Sequence, residues 1–214
     1  MTVDVFADIA CPWCYIGEAR LQAALAARPG LGVERRWRPF QLQPDLPSTG
    51  APRDDFFERK FGGAESMSAA FAHVAEAGRA DGLRFDFDRL AGAPNTTDAH
   101  RMVLLGAGYD RAFETADALF EGYFADGRDL NDAGDLVAIA EHAGLPTADA
   151  RALLLDDRFK VEVAQSQEVA RRSGISGVPL YLFDDQFALS GAQPVAAFIQ
   201  ALDRASGDQP PEGP

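Results

Sequence analysis

Two cysteines placed as Cys11-Pro12-Trp13-Cys14 constrain this chain more than any other feature, and they are the only two in its 214 residues. A short alternating run precedes them, Thr2 to Ala7, in which Val3 and Val5 oppose Asp4 and Phe6 with the period of a strand. An Ala- and Leu-rich stretch follows, Gly17 to Ala27, with Leu21 and Leu25 one helical turn apart and Pro29-Gly30 to end it. A strand running into a helix puts the first cysteine at the helix start, where unpaired backbone N–H groups and the helix dipole stabilise a thiolate. The second cysteine falls about one turn inside, near enough to bond the first and shielded from solvent. Pro12 suits the opening turn, because the N–H it lacks would have had no helical partner.

That arrangement predicts thiol chemistry. Cys11 attacks a disulfide, and Cys14 then attacks the mixed disulfide and releases the product. Trp13 adds apolar surface beside the sulfurs, where a partner would lie. Two other readings stay open on the residues alone. A closed zinc site needs four ligands, and three scattered histidines (His73, His100, His142) with no second cysteine pair do not supply them, so no metal is expected. Two inert core cysteines would leave their spacing at the strand-to-helix junction without a reason.

Further along, Val33 to Phe40 alternates again, so the chain opens as strand, CxxC, helix, strand. Gln43 to Pro52 is Pro-rich and marks a boundary. Helical patterns then fill Asp54–Phe61, Ser66–Ala80, a segment capped by Thr96 or Thr97 that carries His100, and Arg111–Phe124. They continue over Ala133–Ala143, Ala148–Leu155 and Arg158–Arg172. The pattern reverts to a strand at Leu180–Phe183, a turn at Asp184-Asp185, a returning strand at Gln186–Ser190 and a helix at Val195–Ala205. The organisation expected is an α/β frame made of residues 1–51 and 174–205, an inserted helical unit over 52–173, and a flexible tail over 206–214. Gly177-Val178-Pro179 stands just before the late strand. On the residues alone Pro179 fits either a cis bond, which would present the Val178 backbone to an extended peptide, or a trans bond that opens the strand.

Together, strand–CPWC–helix, a helical insertion and GVP–strand–turn–strand–helix resemble the thioredoxin superfamily, and within it the DsbA-like branch with its inserted helical domain. DIACPWCYIG (8–17), WRPFQL (37–42), NTTDAHR (95–101), SGVPLYLF (176–183) and SGAQ (190–193) resemble the FrnE-type oxidoreductases of that branch. The resemblance covers nearly the whole chain and implies an α/β thioredoxin-like fold (β-α-β … β-β-α) with a large inserted all-helical domain. It also implies a redox pair at Cys11 and Cys14, tuned by Pro12 and Trp13, and a cis Val178–Pro179 bond that binds substrate. The chain departs from the periplasmic DsbA pattern CPHC in placing Trp13 where the histidine stands.

The resulting expectation is a thiol–disulfide oxidoreductase of the reductase or isomerase type, with no cofactor beyond its own disulfide and glutathione as a potential co-substrate. Kappa-class glutathione transferases and 2-hydroxychromene-2-carboxylate isomerases are similar to this branch, and a glutathione-dependent isomerase is the alternative. They usually carry serine at the first cysteine's position, from which Cys11 departs. A non-catalytic holdase using the phenylalanines from Phe56 to Phe87 is a third reading, although those rings read first as core. The partners expected are protein or small-molecule thiols and disulfides. A net charge of −13 repels phosphate backbones and so disfavours nucleic acid. No apolar run is long enough to cross a membrane. The opening residues lack a basic segment, so a cytoplasmic location is expected. Trp37 and Phe40 read as packing between frame and insert, His100 as a partly buried helix residue, and Asp4 and Asp8 as acids near the cysteines.

Overall fold

The computed structural model describes residues 1–207, and the tail expected over 206–214 lies, beyond Gly207, outside the described residues. Four strands form the central sheet: β1 (Thr2–Ala7), β2 (Glu34–Pro39), β5 (Leu180–Phe183) and β6 (Phe187–Ser190). Their order is β2-β1-β5-β6, with β1 parallel to β2 and antiparallel to β5. β1 is central and buried along nearly its whole length, so its apolar residues meet neighbours on both faces. Register sets Val5 between Trp37 and Tyr181, one cross-strand row on the core face. Phe6 turns to the other face and packs with Phe40 and Ala170.

Helices fill the gap between β2 and β5: α2 (Arg53–Phe61), α3 (Ala64–Ala80), α4 (Thr97–Ala107), α5 (Ala112–Phe124), α6 (Ala133–His142), α7 (Thr147–Leu155) and α8 (Lys160–Arg172). The frame adds α1 (Pro12–Ala26) and α9 (Val195–Ser206), so the last helix runs one residue into the expected tail. Frame and helical segment share one continuous core, from Val3 and Val5 through Trp37 and Phe120 to Leu153. Its aromatic spine includes Phe71 stacked on Phe87 with centroids 4.3 Å apart, and Tyr15 stacked on Phe120 at 5.2 Å. Tyr15 follows Cys14 directly, so this stacking anchors the cysteine helix to α5.

The first helix opens at Pro12 with Cys11 as its N-cap, as the placement of the cysteines at a helix start requires, and so precedes the Ala- and Leu-rich stretch by five residues. Two local features differ from the sequence pattern. A two-residue ladder, β3 (Ala51–Pro52) against β4 (Gly92–Ala93), closes the loop before α2; it is too short to leave a period. A Cβ on Gly92 would lie 2.6 Å from the Ala51 carbonyl, so the ladder requires glycine there. Finally, α8 starts at Lys160 because Phe159 is held at φ 64°, a left-handed conformation unusual for a non-glycine residue.

Candidate active site

Cys11 is the N-cap of α1 (φ −100°, ψ 110°) and Pro12 its first helical residue. The Cys14 N–H donates to the Cys11 carbonyl at 3.0 Å, which closes the first turn and sets both side chains at the same end of the helix. Both are free thiols and both are buried, Cys11 with 4% of its surface exposed and Cys14 with 1%. Burial, followed by the hydrogen bond and charge of Cys11, pushes the Cys14 thiol well above its ordinary value. Cys14 is therefore held protonated in the dithiol.

The structure brings the late loop to the same place. The Val178–Pro179 bond is cis, and the Cys11 thiol donates to the Val178 carbonyl across 3.7 Å. Pro179 and Tyr181 press against α1 at Gly17, where a Cβ would stand 3.2 Å from Pro179 Cγ and 2.2 Å from Tyr181 Oη. Only glycine allows that approach. Trp13 is half-buried and its ring lies 5.6 Å from that of His73 on α3, so the residue expected to face a partner also touches the helical segment.

Of the two acids near the cysteines in sequence, Asp4 lies on the sheet face away from the site and pairs with Arg38 at 2.7 Å. Asp8 is fully buried, and its carboxylate accepts the Leu42 N–H at 2.7 Å and the Ala10 N–H at 3.2 Å. His100, 0% exposed, completes that net. Its Nδ1 accepts the Trp37 indole N–H at 3.2 Å, which leaves the proton on Nε2 to donate to the Phe40 carbonyl at 3.1 Å, with Asp8 at 3.5 Å. His100, Trp37 and Asp8 thus tie α4 to the loop that carries Cys11. Both expectations of packing hold here: Trp37 meets Phe113 and Phe120 of α5, and Phe40 meets Ala170 of α8.

Sequence reasoning missed Glu18, Tyr181 and Arg101. Glu18 sits four residues after Cys14 on the same helix face and is 1% exposed; burial pushes its carboxyl up to about 7 despite the Arg35 guanidinium paired with it. The buried face of α1 runs Cys14, Gly17, Glu18, Leu21, Ala24, so an acid falling within that period was the available signal. Arg101, 1% exposed, donates to the carbonyls of Leu153, Asp156 and Arg158 and so clamps the junction between α7 and α8 beside the left-handed Phe159.

A four-stranded mixed sheet with a dithiol at the N-terminus of its first helix, a cis-proline loop against that dithiol and helices inserted between the strand pairs defines a thioredoxin-like protein with a helical insertion. The chain belongs to the DSBA-like thioredoxin domain family, whose model matches residues 2–203. It is similar to the crystal structure of a probable DsbA oxidoreductase from Streptomyces coelicolor, with 35% identity, a TM-score of 0.88 and coverage of 100% of this chain and 93% of that one. Its fold is also similar to a 2-hydroxychromene-2-carboxylate isomerase (15% identity, TM-score 0.71, 96% of each chain). A third similar structure is the cytosolic disulfide reductase DsbM of Pseudomonas aeruginosa (18% identity, TM-score 0.64, 97% of this chain and 96% of that one). Among the described residues no helix is long and apolar enough to cross a membrane.

Proposed function

We propose that this protein is a thiol–disulfide oxidoreductase of the FrnE type, working as a reductase or isomerase on protein or small-molecule thiols and disulfides in the cytoplasm. One observation carries the reading: the Cys11 sulfur stands at the helix N-terminus 3.7 Å from the carbonyl of Val178, with Cys14 one turn behind it. An extended substrate that pairs with the Val178 backbone brings its disulfide to Cys11. Cys11 attacks, the leaving thiolate departs, and Cys14 displaces the substrate from Cys11 to leave a Cys11–Cys14 disulfide. Pro12 sets the helix start, and Trp13 offers an apolar edge to the substrate.

The helices over 52–173 act in this reading as an inserted unit that walls the approach to Cys11. A narrow crevice between frame and insert begins at Ala10 and runs past Leu42, Phe56 and the exposed Lys60. With Trp13 in place of a histidine between the cysteines, one donor that would stabilise the Cys11 thiolate is missing. The pair is therefore less oxidising than DsbA, whose potential lies near roughly −120 mV.

Titrating the dithiol against glutathione redox buffers, with thiol alkylation and intact mass as the readout, tests the reading. A reversible two-electron transition between one dithiol and one intramolecular disulfide supports it, and the midpoint tests the comparison with DsbA. If the disulfide never forms while Cys11 holds glutathione without exchange, the glutathione-dependent isomerase replaces it.

A further inference from the structure

We infer that His100 is a positioning residue for the nucleophile: from α4 of the helical segment it holds the turn Asp8–Cys11 and so fixes the Cys11 sulfur opposite the Val178 carbonyl. The inference rests on the oxidoreductase reading above. It adds a residue that acts on the first step, and a second role for the helical segment.

Three backbone N–H groups converge on Asp8. The Cys11 N–H donates to the Asp8 carbonyl at 3.0 Å. One oxygen of the Asp8 carboxylate takes the Ala10 N–H at 3.2 Å, and the other takes the Leu42 N–H at 2.7 Å. The carboxylate therefore curls its own turn, as Asx side chains do, and also ties that turn to the loop after β2. The Phe40 N–H donates to the Ala7 carbonyl at 3.0 Å and laces the same two segments from the strand side. The Cys11 side chain makes no cap bond to α1, so the backbone of this turn is what places its sulfur.

His100 lies under the seam between the two segments. Its Nε2 stands 3.1 Å from the Phe40 carbonyl oxygen and 3.5 Å from Asp8 Oδ1, so one N–H serves both sides. Asp8 is 1% exposed, and a carboxylate taken that far from water needs donors on every side. The direction of this donor is not free. The Trp37 indole N–H occupies Nδ1 at 3.2 Å, which puts the ring proton on Nε2, and Trp37 itself is wedged against Phe113 and Phe120. The first turn of α4 grips the same loop a second time, through the Gln41 Nε2 donation to Thr97 Oγ1 at 3.1 Å. Withdrawing the Nε2–H leaves the buried carboxylate one donor short and lets the 40–42 loop part from the turn, and the Cys11 sulfur moves with it.

The step that depends on this placement is the attack. The Cys11 thiolate bonds to one sulfur of the substrate disulfide, the substrate S–S bond breaks, and the other sulfur leaves as a thiolate with the electron pair. Cys11 is oxidised to the mixed disulfide as the released half is reduced. Such a displacement needs the attacking sulfur in line with the breaking bond, so a small shift of Cys11 is read directly in the rate.

The test compares two amides at position 100. His100→Gln keeps an N–H near the place of Nε2, whereas His100→Asn keeps an acceptor for the Trp37 N–H and withdraws the donor from Phe40 and Asp8. The reduced proteins are mixed with 5,5′-dithiobis(2-nitrobenzoate) in stopped flow at pH 7. The first, concentration-dependent release of thionitrobenzoate reports attack by Cys11. In His100→Asn this phase should slow about tenfold or more, and in His100→Gln it should stay within about threefold of the wild type. Urea unfolding should show both variants destabilised alike, since both lose the imidazole from the core; a merely structural histidine would make the two rates alike as well. Equal first phases in the two variants, or a wild-type first phase in His100→Asn, overturns the inference. Nitrogen-15 histidine spectra of the wild type supply a check that needs no variant: His100 should carry its proton on Nε2, and a proton on Nδ1 instead overturns the inference. A wild type that releases one thionitrobenzoate and never a second sinks the oxidoreductase reading instead, and leaves the comparison of first phases intact.

Discussion

Gly17→Ala isolates the contact that couples the cysteine helix to the proline loop. Alanine is preferred over glycine inside a helix by about 0.5–1 kcal/mol, so propensity alone predicts a more stable protein. The new Cβ, however, would stand 2.2 Å from Tyr181 Oη and 3.2 Å from Pro179 Cγ. Tyr181 cannot retreat, since it is 0% exposed and Phe198 meets its ring edge-on at 4.8 Å. Overpacking of a filled core costs about 1–3 kcal/mol. The net expectation is a loss of about 1–2 kcal/mol, a fall in melting temperature of roughly 2–8 °C for a chain of this size. The severe clash is with one oxygen. In a Tyr181→Phe background the nearest ring atom to the new Cβ is Cζ at 3.4 Å, an ordinary contact, and only the milder 3.2 Å approach to Pro179 Cγ remains, so the alanine should then cost much less. Urea unfolding of the four proteins of this double-mutant cycle, followed by tryptophan fluorescence, gives the coupling directly. If Gly17→Ala is as stable as the wild type, or as damaging with phenylalanine at 181 as with tyrosine, the close packing of α1 on the proline loop is wrong.

Cys11→Ser should abolish exchange, while Cys14→Ser should accumulate a mixed disulfide with glutathione, visible as an added mass; no adduct under oxidised glutathione would contradict the two-step exchange. Arg101→Ala should cost about 3–5 kcal/mol in chemical denaturation, because the buried Leu153 carbonyl and two partly buried carbonyls at the α7–α8 junction lose a charged donor that is itself buried. A loss under about 1 kcal/mol would refute the clamp. Glu18 and Asp117 have folded values raised to about 7 and about 6, so the folded state binds more protons than the unfolded one above roughly pH 4. Their linkage makes the urea midpoint fall as pH rises from about 4.5 to 7, and Glu18→Gln should flatten that slope. An unchanged slope in the variant would count against the burial of Glu18.

Much of the fold was legible because period and punctuation agree with it. Leu180–Phe183 needed nothing beyond its apolar run and the Asp-Asp turn after it. The ladder of β3 and β4 was missed because two residues cannot show a period. At the site, the spacing of Cys11 and Cys14 spoke for itself. The acids did not, since nearness along the chain favoured Asp4 and Asp8, whereas Asp4 turns to the far sheet face to meet Arg38. His100 read as partly buried, but the structure closes both of its ring nitrogens into the net with Trp37, Phe40 and Asp8.

The sequence by itself therefore determined the order of strands and helices and the place of the dithiol, because hydrophobic period, proline, glycine and cysteine spacing all act over a few residues. Only the tertiary structure decided which groups meet that dithiol. Val178 and Tyr181 lie more than 160 positions from Cys11 in the chain and reach it through the pairing of β1 with β5. Glu18 became a buried acid because the Arg35, Gln22 and Asp117 that surround it come from three elements. Pairing register and burial are properties of the assembled core, and no local pattern encodes them.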